Sequence, residues 1–240
     1  MTKIIAMIPA RAGSERLKLK NLRLLCGKPV VSYCVEAAQE AGIFDEIYVN
    51  SEHPSFSEIA NRHGVKFHLR PEELGSSEAQ TDDFVAEFMR EHPGDILVLV
   101  NPPSPLQTGE EIKTIVGHFI KENLDSLVTV KEERFHAIYD GKPINFSTEE
   151  KLAKTQNLKP VQVCVYSILM WRYETFLKQY DEKGFAFFSG NLGYYPIHSD
   201  SSIALKYEKD LEMAEALLRI RGAGSTANYD PLADKILGES

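Results

Sequence analysis

Short apolar runs separated by amphipathic segments, repeated through the first 130 residues, constrain this chain more than any other feature. Strands of a parallel sheet are buried on both faces and read as continuous apolar runs, and each parallel step needs a crossover connection. Lys3 to Pro9 (KIIAMIP), Glu46 to Ser51, Val65 to Leu69, Asp95 to Val100 (DILVLV) and Ser126 to Val130 have that character. Between them, Pro29 to Ala41, Ser55 to His63, Thr81 to Glu91 and Thr108 to Lys121 carry helical spacing. Pro29 suits a first turn and Gly42 a stop. Thr81 is the expected cap of its helix, with Asp82 and Asp83 in the positive first turn. DILVLV, the most apolar stretch, belongs at the sheet centre. The fold class is α/β: an open, mostly parallel sheet with flanking helices.

At 240 residues and 43% hydrophobic content, one domain spanning 1–240 can bury a full core. The pattern breaks at Lys131, where a polar stretch with Asp140-Gly141 between two apolar runs signals a hairpin; this predicts an excursion from the sheet at about 131–180. Val161 to Met170 and Phe185 to Ile197 return to strand composition, with a helix over Tyr173 to Gln179 and Trp171 and Tyr173 filling the excursion interface. Lys209 to Arg219 places Leu211, Ala214, Leu217 and Leu218 on one stripe, a closing helix. The tail after Gly222 is expected along the surface or a partner.

A formal charge of −8, from 27 Lys+Arg against 35 Asp+Glu, disfavours nucleic acid and anionic membrane as partners. No apolar run approaches the roughly 20 residues that span a bilayer, and the first residues turn polar too early for a signal peptide. A soluble, cytoplasmic protein is expected. Cys26, Cys34 and Cys164 lack metal or disulfide spacing and read as thiols filling small apolar spaces.

Against that acidic background, Pro9 to Asn21 (PARAGSERLKLKN) gathers Arg11, Arg16, Lys18 and Lys20 around Gly13 and Ser14. The loop follows the first strand, at the edge where open α/β sheets bind ligands. Gly13 permits close backbone approach, Ser14 adds a hydroxyl, and the cations suit polyphosphate. Neither GxxxxGK[ST] nor GxGxxG is present. A solvated basic loop satisfies the same spacing.

Arg11-Ala12-Gly13-Ser14, Arg16, Lys20-Asn21 and Gly27-Lys28-Pro29 together resemble the signature of the acylneuraminate cytidylyltransferases, the CMP-sialic acid synthetase-like family. Arg70-Pro71 before Leu74, Asn101-Pro102-Pro103-Ser104-Pro105-Leu106 where the family has LQPTSPL, and Asp210-Leu211 with Ala214-Glu215 extend the similarity. The resemblance implies a Rossmann-like sheet, a homodimer built partly by the excursion, and CMP transfer from CTP to a small acidic sugar, a nonulosonic acid-like acceptor. By position, Arg11, Ser14 and Lys20 would hold the triphosphate beside Ala12 and Gly13. Asn21 and Arg70 would read ribose or cytosine, and Gln80 or Thr81 would touch the nucleotide. Asn101, Ser104 and Gln156 fall on the acceptor side. Ser104, between two prolines, reads as loop shape rather than nucleophile, and Arg134 and His136 lie where relatives contact substrate.

Two departures stand out. The family's late motif supplies two metal-binding aspartates, where this chain has Ala204 and Lys206, so Mg²⁺ is expected with CTP rather than on protein ligands. Asp210 reads as a helix cap or first-turn charge. The stretch Pro160 to Ile168 lacks the family's Asn-Gly step, which implies a remodelled acceptor pocket. Three readings follow: an active cytidylyltransferase with Lys206 supplying charge in the metal's place beside Arg11 and Lys20, a cytidylyltransferase for a different acid or phosphonate, and a degenerate, non-catalytic nucleotide-binding protein.

Overall fold

Ile4, Ala6 and Ile8 of β1 (Ile4–Pro9) enter one core while Ile5 and Met7 enter another. Alternate side chains of a strand point to opposite faces, so a strand apolar at every position requires cover on both sides. The computed structural model describes residues 2–14 and 16–223. After β1 the chain runs through a long loop and a two-residue ribbon, β2 (Leu24–Leu25) and β3 (Lys28–Pro29), into α1 (Val30–Ala41). Pro29 sits at the N-cap rather than in the first turn, and Gly42 stops the helix at φ 64°. There follow β4 (Glu46–Ser51), α2 (Ser57–His63), β5 (Lys66–Leu69), α3 (Thr81–Glu91), β6 (Ile96–Val100) and α4 (Gly109–Lys121).

The remaining elements are β7 (Ser126–Glu133), the hairpin β8 (Ile138–Tyr139) and β9 (Lys142–Pro143), β10 (Val161–Arg172), α5 (Tyr173–Lys183), β11 (Leu192–Pro196) and α6 (Glu208–Ala223). The main sheet has the order β11-β7-β10-β6-β1-β4-β5. β6 is its middle strand and is buried along its whole length, as DILVLV required. All pairings are parallel except those of β10, which runs antiparallel to both β6 and β7. Helices α1, α2 and α4 cover one face, with Val35, Ile59 and Ile115 in its core. On the other face lie α3 and α5, with Phe88, Met89 and Phe176. A third cluster joins Leu17 and Leu25 to Leu205, Leu211 and Ala214, so α6 closes over the loop after β1 along the expected stripe. Burying Leu17 there contributes about 2 kcal/mol and ties a polar, cationic loop to the scaffold.

Several expectations need correction. Thr81 is not the cap of α3: Gln80 is the N-cap, and Asp83 reaches back to accept from its amide at 3.3 Å. The strand expected over Phe185 to Ile197 shrinks to β11, because Gly184 and Gly190 take positive φ and residues 184–191 form an irregular segment. Trp171, next to last in β10, and Tyr173, which opens α5, lie in the main core with Phe176 rather than at an excursion interface. Of the cysteines, Cys34 is buried as a filler while Cys26 and Cys164 are exposed. Asp140 and Gly141 form the expected hairpin turn, with φ of 48° and 71°. Residues 134–160 leave the main sheet; Val161 onwards pairs back onto β7. Most of the tail after Gly222 lies outside the described residues.

Candidate active site

β1 is flanked by β4 on one side and β6 on the other, so the chain reverses direction across the sheet at β1. A crevice opens at the carboxyl ends of the strands at such a point. Here it is a cleft of ≈ 510 Å³. Pro9 ends β1, Leu99 is next to last in β6 and Leu169 pairs with it from within β10; Arg11, Ser14, Lys20, Asn21 and Arg70 bring cationic and polar groups, and Phe84, Tyr166, Phe187 and Phe188 bring aromatic rings. The composition is that of a site for a ligand with a polyanionic part and a planar or apolar part.

Hydrogen bonds fix the cationic side. Ala10 N extends the β1–β4 ladder by donating to Asn50 O at 2.8 Å. Ala12 N then donates to Glu52 Oε1 at 2.7 Å, and Asn21 Nδ2 donates to Arg11 O at 3.0 Å. Arg11 Nη1 donates to Ser76 O at 3.2 Å. Arg70, 4% exposed, donates from Nη2 to Glu52 Oε2 at 3.1 Å, and its guanidinium lies 5.0 Å from the Phe84 ring centre. Arg70 Nε and Asn21 Oδ1 are buried with no partner. Such atoms lose their bonds to water without replacement, a cost tolerated where a ligand completes the set.

Lys20 has the most informative ionisation. Its pKa is lowered to about 8, first by burial and then by the charges of Arg16 and Arg11. Its ammonium donates to Leu205 O at 3.4 Å. Burial and like charges both disfavour the protonated form, so a polyanion arriving among these cations restores it. Desolvation also lowers the Arg70 pKa, partly offset by Glu52.

Of the residues expected from sequence, Arg11, Ser14, Lys20, Asn21, Arg70, Gln80, Thr81 and Asn101 line this one cleft. Ala12 and Gly13 line an adjoining hollow that shares Ser14. Asn101 is held by β10, with Nδ2 donating to Tyr166 O at 2.8 Å. Ser104 is buried and outside the cleft lining, its amide donating to Asn101 O at 3.0 Å. Gln156 is exposed in the 3-10 turn Thr155–Asn157, outside the cleft lining. Lys206 is exposed and also outside the lining; its amide and that of Tyr207 donate to Asp210 Oδ2 at 2.7 and 2.8 Å. Asp210 is thus a first-turn charge of α6, as its position suggested.

The aromatic wall was missed. Phe187 and Phe188 fall in the stretch expected as strand, yet Phe188 is 53% exposed and both line the cleft. Their segment is pinned by Asp82, whose Oδ1 accepts from Phe187 N at 2.7 Å and also from Ala186 N. Glu52 was missed as well. Its signal was an acid directly after a strand, at the edge where the cationic loop begins.

Among the described residues, no group of three or more His, Cys, Asp or Glu is placed to hold a metal. Asp82 is the acid lining the cleft, and its Oδ1 already accepts two amides.

The cytidylyltransferase family profile matches residues 5–220. The chain belongs to the cytidylyltransferase family. Within that family it is similar to the N-acylneuraminate cytidylyltransferase of Streptococcus agalactiae serotype V, 28% identical over 186 residues, covering 74% of this chain and 45% of that protein. The enzyme of the same name from Escherichia coli O18:K1:H7 is 36% identical over 112 residues, covering 46% of this chain and 27% of that protein. The CMP-N,N'-diacetyllegionaminic acid synthase of Legionella pneumophila is 32% identical over 120 residues, covering 48% and 52%. The chain therefore spans under half the length of the first curated relatives it matches. Among solved structures, the fold is similar to a CMP:2-keto-3-deoxy-manno-octonic acid synthetase complexed with CTP, with a TM-score of 0.69 and 18% identity, covering 92% of this chain and 100% of that one. No helix among the described residues is long and apolar enough to cross a membrane.

Proposed function

We propose that this cytidylyltransferase transfers CMP from CTP to an acidic sugar of the nonulosonic class and releases pyrophosphate. The observation that supports it is one cleft pairing the Arg11, Lys20 and Arg70 cations with an aromatic wall at the sheet's switch point. CTP places its triphosphate against the cations, with Ser14 and the Ala12–Gly13 backbone beside it, and its nucleoside near Asn21, Gln80 and Thr81. The acceptor lies toward Asn101, Tyr166, Phe187 and Phe188, near the base of the excursion. Its hydroxyl oxygen attacks the α-phosphorus and forms the new P–O bond. The bond to the bridging oxygen breaks, its electron pair leaves with pyrophosphate, and the hydroxyl proton passes to solvent. No covalent enzyme intermediate is involved. The chain's own contribution is alignment and neutralisation of charge on the phosphates. Mg²⁺ enters as part of the CTP substrate.

Lys206 and Gln156 enter this reading as candidates outside the cleft lining. Loss of transfer with CTP binding retained in Lys206→Ala would keep Lys206 in the reaction, and unchanged turnover would remove it. The excursion exposes Ile138, Tyr139, Ile144 and Leu152, which supports a homodimer formed through this segment; sedimentation of the full chain tests it. Pyrophosphate release, measured with each nucleoside triphosphate and a panel of acidic sugars, with and without chelator, tests the reaction. Release that needs CTP and one acidic sugar supports it. CTP binding without release for any sugar or phosphonate would favour a nucleotide-binding protein instead.

A further inference from the structure

Glu52 presents an oddity: a carboxylate beside a site built to attract phosphate. Its charge opposes any polyanion in the cleft, so electrostatics alone argue against its presence. The geometry shows what it does. Oε1 accepts from Ala12 N at 2.7 Å, and Oε2 accepts from Arg70 Nη2 at 3.1 Å. The two oxygens thus tie the loop after β1 to the end of β5. The side chain is largely buried and packs on Gly75, where an added Cβ would come within 2.6 Å of the carboxyl carbon. The next residue, Ser76, accepts from Arg11 through its carbonyl. Loop, Arg11 and Arg70 therefore meet around one carboxylate.

We infer that Glu52 is a positioning residue, which sets the backbone after β1, Arg11 and Arg70 in one register so that their donors converge on the nucleotide's phosphates. The inference rests on the proposed CTP site. It explains how Arg70 is held in place by Nη2 with Nε unpartnered, and why glycine occupies position 75. A charge-assisted bond is stronger than a neutral one and holds geometry more firmly. In Glu52→Gln, the amide oxygen can still accept from Ala12 N, but its NH₂ faces the Arg70 guanidinium with no acceptor between them.

The test turns on sign. If Glu52 only fills space, Glu52→Gln removes a negative charge near the phosphates and CTP binds equally or more tightly. If it positions, CTP binding weakens at least about tenfold despite the more favourable charge, the size expected from losing a charged hydrogen bond. CTP titrations of the wild type, Glu52→Gln and Glu52→Asp measure this, with Glu52→Asp recovering part of the affinity. Unchanged or tighter binding in Glu52→Gln overturns the inference.

Hydrogen exchange at the Ala12 amide, read on nucleotide-free protein, gives an answer independent of CTP. Faster exchange in both Glu52→Ala and Gly75→Ala supports the clamp, the second variant displacing the carboxylate without removing it. Unchanged exchange in both overturns it. A wild type that fails to bind CTP while the variants release the loop would overturn the nucleotide reading and uphold the clamp.

Discussion

In the proposed CTP site, Lys20 should make nucleotide affinity depend on pH, in a direction set by its burial and its cationic neighbours. Its pKa is about 8 in the free protein, against an ordinary value of 10.5. The free protein loses this charge as pH rises through about 8. A bound triphosphate supplies compensating negative charge and returns the pKa toward its ordinary range, so binding above pH 8 must take up a proton. A group with pKa 8 is roughly nine-tenths protonated at pH 7 and one-tenth at pH 9, so CTP affinity should fall about tenfold between them. Calorimetric titrations in buffers of different ionisation heat should show uptake approaching one proton at pH 9 and little at pH 7. Stability moves the other way. Between pH 8 and 10.5 the unfolded chain still binds the proton that the folded chain has released, so Lys20 contributes rising stability with pH over that window. Lys20→Arg, whose guanidinium stays charged, should flatten the affinity profile. Equal slopes in wild type and Lys20→Arg, or no slope in wild type, would refute the reasoning.

Three further outcomes follow from the same geometry. Asp82→Ala frees the amides of Ala186 and Phe187 and should cost about 2–3 kcal/mol in urea unfolding, with a raised KM for the acceptor as the Phe187–Phe188 wall loosens. Trp171→Ala should cost about 3–5 kcal/mol by denaturant titration, since the ring is buried against Phe176 and Phe187 and its Nε1 donates to Phe187 O. Arg70→Lys should weaken CTP binding although charge is kept, because an ammonium cannot both reach Glu52 and lie against Phe84 as the guanidinium does; equal affinity in a titration would contradict this.

The parts of the fold legible in the sequence were those whose cause is local. β1 and β6 are apolar throughout because helices cover both their faces, and Thr108 announces α4 by capping its Glu111 amide. The cationic loop was legible because its residues are contiguous and contrast with an acidic chain. The aromatic wall was not. Phe187 and Phe188 lie in an irregular segment whose amides at Ala186 and Phe187 are held by Asp82, about a hundred residues earlier. Glu52 escaped for the same reason: its partners lie 40 residues before it and 18 after. Spacing also could not show that Gln156 and Lys206 stand apart from the residues with which the family pattern groups them, since loop paths decide that.

A crystal structure of the protein with CTP bound would test the central claim most directly. The account predicts phosphate oxygens within about 3 Å of Lys20 Nζ and of the Arg11 guanidinium, with the nucleoside in the cleft beside Asn21. A nucleotide bound elsewhere, or a cleft that stays empty at millimolar CTP with Lys20 still turned to Leu205, would contradict it.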